Sequence, residues 1–186
     1  MIDIYLSVDI ESDGPIPGKN SMLSLGAVAI DINKKIHGEF EVNLELLPEA
    51  TPDPNTMEFW GKNPEAWKVC RENIVSPEDG MKSYREFLKQ LPSRPIFMGY
   101  PACFDFMFHH WYLIYFTGKD PCGFSGLDLK SYAAGLKGLS YRQSTKRNFP
   151  KIWFENMKHD HTALTDARGQ AVLGINMLRE GMEWKK

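Results

Sequence analysis

Cysteine is scarce in this chain, basic charge is not in excess, and no apolar stretch is long. The three cysteines, Cys70, Cys103 and Cys122, are odd in number, far apart and without a C-x-x-C pair. They read as reduced, intracellular thiols rather than a disulfide framework or a zinc site. The 22 basic and 24 acidic residues leave a formal charge of −2, which argues against a protein that grips long duplex DNA through its phosphates. A short nucleic-acid substrate is not excluded, because a metal cancels the charge of the carboxylates that ligate it. No apolar run approaches the length of a membrane span. The opening residues Met1-Ile2-Asp3-Ile4-Tyr5 lack the basic lead-in of a secretory signal, so the chain is expected in the cytoplasm and off the membrane.

What is present is an ordinary core-forming composition: 186 residues, 42% hydrophobic and 12% aromatic. That excludes intrinsic disorder and suits one domain over residues 1–186. The 12 prolines and 15 glycines are scattered without a period, which removes fibrous and low-complexity readings. Residues Ile4 to Ile10 predict a strand, followed by a turn-rich loop over 12–18. Met22 to Ile32 and Lys35 to Leu47 predict two more strands, and short connections make the three an antiparallel meander. Asn63-Pro64 predicts a capped helix to about Arg71, and Ser76-Pro77 a second one to about Gln90. Pro95 to Gly99 is a short apolar strand. Phe104 to Phe116 is apolar nearly all round and predicts a helix buried on most sides. A last helix runs from Thr162 or Ala163 to Leu178. The order predicts an α/β domain, a mixed sheet flanked by helices.

Carboxylates carry the chemistry. Asp9 and Glu11 are two apart on a predicted strand and leave the same face, while Val8 and Ile10 leave the other. Paired acids repel unless a cation lies between them, and Mg²⁺ and Mn²⁺ favour such oxygens. Asp105 sits among aromatics at the start of the apolar helix, where capping is the ordinary role but an unpaired buried carboxylate is costly. Asp166 follows His161 by five residues, roughly 500° of helix. His161 therefore belongs on the loop before the last helix, placed to act as a general base over a metal held by Asp166. Each of these residues taken singly has a bland role as a solvated strand end, a cap or a surface histidine.

Together, Val8-Asp9-Ile10-Glu11, Cys103-Phe104-Asp105 and His161-Thr162-Ala163-Leu164-Thr165-Asp166-Ala167 resemble the motifs of the DEDDh 3′–5′ exonucleases, the relatives of ribonuclease T, oligoribonuclease and the proofreading subunit of bacterial replicative polymerase. Leu25-Gly26-Ala27-Val28 resembles the family's second strand. Thr56 to Trp60 and Pro64 to Trp67 are similar to a bacterial and phage branch with exoribonuclease-like members and phage exonuclease A. The resemblance implies an RNase H-like fold, with two divalent ions, Mg²⁺ or Mn²⁺, held by Asp9, Glu11, Asp105 and Asp166. It also implies that His161 deprotonates the attacking water, and that nucleoside 5′-monophosphates leave the 3′ ends of single-stranded RNA or DNA. Such a two-ion site needs several carboxylates. Setting those four aside leaves 22 basic residues against 20 of the 24 acidic ones. The family's polar lead-in to Phe-Asp is replaced by Tyr100-Pro101-Ala102-Cys103, a departure that touches substrate placement rather than the ligand. His109 and His110 read as structural, and His159 as a rival base without the family spacing.

Substrate-contact candidates are Gly14, through close backbone approach, and Met22 as a wedge against the terminal base. Trp60 is a candidate stacking platform, with Phe59 beside it in the core. Residues 141–154 interleave Arg142, Lys146, Arg147 and Lys151 with four aromatics, which suits a single strand, with Lys146 and Arg147 on its phosphates. The branch similarity tips the expected substrate toward RNA, with DNA as the alternative. A non-catalytic binding module would not need all four acids and the histidine, and a dehalogenase-like phosphatase would want Asp where Glu11 stands. Homodimerisation is a further expectation, supported by the aromatic surplus.

Overall fold

The structure is a computed structural model, and it describes residues 2–155 and 162–183. The first three strands form in the expected order, β1 (Ile4–Ser12), β2 (Met22–Asp31) and β3 (Ile36–Asn43), with β3 ending at Asn43 rather than running on to Leu47. They pair antiparallel, while β4 (Ile96–Gly99) and β5 (Gly126–Asp128) add in parallel, giving the order β3-β2-β1-β4-β5. Every residue of β2 is buried, as expected of an interior strand covered on both faces.

Helices α1 (Pro54–Lys62), α2 (Pro64–Cys70) and α3 (Pro77–Lys89) each begin on a proline, whose missing N–H costs nothing at a first turn. Sequence reading missed α1, whose cap Asp53 accepts from the Asn55 and Thr56 N–H groups, both at 3.0 Å. Asn63 does not cap α2 with its side chain, contrary to expectation. Its Nδ2 donates back to the Phe59 carbonyl, because α1 ends where α2 begins. The remaining helices are α4 (Ala102–Thr117), α5 (Leu129–Lys137) and α6 (Ala163–Glu183).

Two cores sandwich the sheet. Ile4, Leu6, Val8 and Ile10 of β1 pack with Tyr84 of α3 and Phe108 and Tyr112 of α4. On the other face Tyr5, Val28 and Ile30 meet Leu129 of α5 and Ala167, Ala171 and Ile175 of α6. Helix α4 is less buried than its composition predicts. Phe104, Met107, Ile114 and Tyr115 are exposed, because an outer-layer helix has the sheet on one side only. No helix among the described residues is long and apolar enough to cross a membrane.

Candidate active site

The pleat of β1 separates core from chemistry. Val8 and Ile10 are buried in the α3–α4 core, so Ser7, Asp9 and Glu11 face α6. Asp9 lies opposite Gly26 of β2, and that glycine has a packing reason. A Cβ there would stand 2.3 Å from the Ala163 carbonyl carbon and the Leu164 nitrogen. With only hydrogen at Gly26, the first turn of α6 lies directly on β2 and brings in Asp166. The helix is then pinned: Ser7 Oγ donates to the Ala167 carbonyl at 2.8 Å. Gln170 Nε2 donates to the Val8 carbonyl at 2.9 Å, and Gln170 Oε1 accepts from the Tyr100 N–H at 2.7 Å. Oxygens of Asp9, Glu11 and Asp166 consequently all lie within 4.8 Å of one another.

Asp105 comes from the opposite layer. It sits in the first turn of α4, 7% exposed, and its Oδ1 accepts from the Ile10 N–H at 3.3 Å. The capping work near that helix start is done by Asp128, which accepts from the Ala102 and Lys130 N–H groups. All of this gathers at the carboxyl ends of β1 and β4, where open α/β sheets place their ligands.

Crowding is visible in the proton affinities. Burial, then the charges of Asp105, Glu11 and Asp166, hold the Asp9 carboxyl well above the usual range, and Lys146 partly opposes them. Burial with Asp166 and Asp105 nearby pushes Glu11 up to about 8. Burial raises Asp105 to about 7, against the Ile10 hydrogen bond and the Lys146 charge. Carboxylates this close and this desolvated stay ionised only with a cation among them. The donors are all oxygens, the preference of Mg²⁺ and Mn²⁺, and the set fits such ions.

Of the expected substrate contacts, Lys146 is the one whose charge reaches the carboxylates. It lies on a short 3₁₀ turn (Lys146–Asn148), with Nζ 5.3 Å from the centroid of the Tyr100 ring, and Arg147 is exposed on the same turn. Gly14 is buried, and the Asn20 side chain stands 2.3 Å from where its Cβ would be, so that glycine serves the turn. Met22 is a correction. It is fully buried in the core, and its N–H donates to Tyr112 Oη at 2.7 Å. Trp60 is another. It is 3% exposed, packs with Leu23, Ala66 and Cys70, and donates Nε1–H to the Ser12 carbonyl at 2.9 Å. Phe59, expected in the core, is 42% exposed instead. In the basic-aromatic segment Phe149 and Trp153 are buried against α6, so its rings largely anchor it. His161 and His159 lie outside the described residues. Gln170 was not singled out from the sequence. Its signal was a polar side chain one turn after Asp166, amid Ala167 and Ala171.

No protein-family model matches the chain. It is similar to the 3′-5′ DNA exonuclease Cap18 of Escherichia coli, with 35% identity over 175 residues that cover 92% of this chain and 89% of that one. Among solved structures it resembles the nuclease domain of 3′hExo, a DEDDh family member bound to rAMP, with a TM-score of 0.68 and 11% identity over 97% of this chain and 94% of that one. It also resembles Escherichia coli exonuclease I in complex with a dA16 oligonucleotide, with a TM-score of 0.63, 17% identity, and coverage of 96% and 40%.

Proposed function

This chain belongs to the DEDDh family of 3′–5′ exonucleases, and from that premise we propose that it shortens single-stranded DNA from the 3′ end, releasing nucleoside 5′-monophosphates at two divalent metal ions held by Asp9, Glu11, Asp105 and Asp166. The observation that carries the reading is the meeting of Asp9, Glu11 and Asp166 within 4.8 Å, with Asp105 charge-coupled to them. The chemistry a divalent pair supplies is activation of the attacking oxygen and neutralisation of charge on the leaving one.

The chain's own groups do the rest. Asp105, tied by one oxygen to the Ile10 N–H, keeps the other for a ligand. Gln170 holds α6 against β1 and β4, which fixes Asp166 relative to Asp9. Lys146, already felt by Asp9 and Asp105, meets a substrate phosphate, and Arg147 on the same turn meets the next. His161 takes the proton of the attacking water. Thr162 alone separates it in sequence from the start of α6.

The branch similarity in the sequence leans toward RNA. The aligned relative named as a DNA exonuclease supports DNA more strongly, because it matches nearly the whole chain. The test is to trim 5′-labelled single strands of one sequence as DNA, as RNA, and as DNA ending in one ribonucleotide. The reading expects DNA to exceed RNA in kcat/KM by roughly tenfold or more, as for a site that senses one hydroxyl. RNA trimmed as fast as DNA would overturn it.

A further inference from the structure

A second cluster of metal-ligating side chains lies on the far side of the sheet from Asp9. The middle of α4 supplies His109, and the loop after that helix supplies Asp120 and Cys122. The three ligand atoms, His109 Nε2, an Asp120 oxygen and Cys122 Sγ, all lie within 4.8 Å of one another, and all three residues are buried. From this geometry we propose that His109, Asp120 and Cys122 form a buried zinc site that fastens the loop after α4 to that helix.

The independent sign is His109 Nε2. The residue is 0% exposed, and this nitrogen has no hydrogen-bond partner. It lies 3.4 Å from Asp120 Oδ1 without the geometry of a hydrogen bond. The polar atom this buried nitrogen faces is Asp120 Oδ1, at a distance longer than a strong hydrogen bond, so the two stand as neighbouring donors to one point. Its other nitrogen, Nδ1, is 3.3 Å from Tyr84 Oη, an arrangement in which the outer partner fixes the tautomer of a ligating histidine. Asp120 is supported likewise, since its Oδ2 is 2.8 Å from His110 Nδ1 and its Oδ1 accepts from the Cys122 N–H at 2.8 Å.

The loop is built in advance for this. Gly123 takes φ +86° and leaves room for Arg94, whose guanidinium would meet any Cβ there. Arg94 donates to the Pro121 and Cys122 carbonyls. A surface cleft of about 550 Å³, bordered by Arg85, Lys119, Asp120 and Pro121, touches the cluster at Asp120.

Chemistry selects the ion. One sulfur, one nitrogen and one carboxylate oxygen suit three of the four tetrahedral positions of Zn²⁺, the fourth going to water, and ligands on such an ion stand roughly 3.3–3.8 Å apart, so the cluster needs only a small contraction. Zn²⁺ with a carboxylate, a thiolate and a neutral imidazole sums to zero charge, which makes burial tolerable. Binding replaces the Cys122 S–H proton, which passes to solvent as the Zn–S bond forms. Asp120 and Cys122 follow His109 by 11 and 13 residues, so no C-x-x-C spacing announces them.

The test is titration of the full chain with Co²⁺, which gives a thiolate-to-cobalt charge-transfer band only when sulfur ligates. An Asp9→Asn/Asp166→Asn background removes the carboxylate site. The expectation is a band saturating at one equivalent, displaced by Zn²⁺, and lost in His109→Gln and in Cys122→Ser. Cys70→Ser/Cys103→Ser leaves Cys122 as the sole thiol and must keep the band, a reading that stands even where Cys122→Ser fails to fold. No band in the otherwise unchanged chain, or a band absent from Cys70→Ser/Cys103→Ser, overturns the proposal.

Discussion

His161 is where residue-scale chemistry is most exposed to test. A base on the attacking water is worth roughly 10²–10⁴ in rate, so His161→Ala should lower kcat by that factor with a smaller change in KM. The acidic limb of its pH–rate profile should also vanish. Single-turnover trimming by His161→Ala and His159→Ala checks this, and a silent His161→Ala beside a damaging His159→Ala would reassign the base. At this same scale the sequence was legible unevenly. Asp9, Glu11, Asp105 and Asp166 could be named because three motifs in order resemble the DEDDh set, although each acid taken singly had a bland role. Met22 and Trp60 could not be placed, since an apolar side chain looks the same whether it touches a base or a core. For Phe59 and Trp60 one step of about 100° around α1 decides which is exposed, and α1 itself had not been foreseen.

The elements explain how distant residues become neighbours. Gly26 admits the first turn of α6 to the surface of β2, and the atoms a Cβ would strike are backbone, which cannot rotate aside. Gly26→Ala should therefore lift α6 and carry Asp166 away from Asp9. The expected result is near-complete loss of trimming together with about 1–3 kcal/mol of destabilisation. Gly135→Ala is the control, because nothing lies within 4 Å of its Cβ and it is interior to α5. It should gain about 0.5–1 kcal/mol with activity intact. Denaturant melts and trimming rates of both variants check the pair, and an active, stable Gly26→Ala chain would contradict the packing argument. Periodicity and proline caps made β1 to β4, α2, α3 and α6 legible. The three-residue β5 and the glycine-containing α5 offered too little pattern, and the clamp from Gln170 depends on a helix-to-sheet contact that no local spacing encodes.

At the scale of the whole molecule, folding is expected to be coupled to metal binding. Glu11 rises from 4.5 to about 8 and Asp105 from 3.8 to about 7, so the folded, metal-free chain binds protons that the unfolded chain has already released. For carboxyls raised on folding, that stability is fully present below the ordinary values and is lost as pH climbs through the raised ones. In EDTA the Tm should thus fall between about pH 4.5 and 8, and saturating Mg²⁺ or Mn²⁺ should remove most of that fall by binding the ionised site. Calorimetric scans across that range, with and without metal, check the sign, and a flat or rising Tm in EDTA would contradict it. The central claim, that these carboxylates hold divalent ions for hydrolysis from a 3′ end, is tested most directly by product length. A 5′-labelled single strand, with its 3′ end free or blocked, is incubated with the wild-type chain and with Asp9→Asn, in Mn²⁺ or in EDTA. The account predicts a ladder that shortens from the free 3′ end with wild type and metal alone, while Asp9→Asn keeps its circular dichroism spectrum and makes none. Undiminished turnover in EDTA, or equal cutting of the blocked strand, would contradict it.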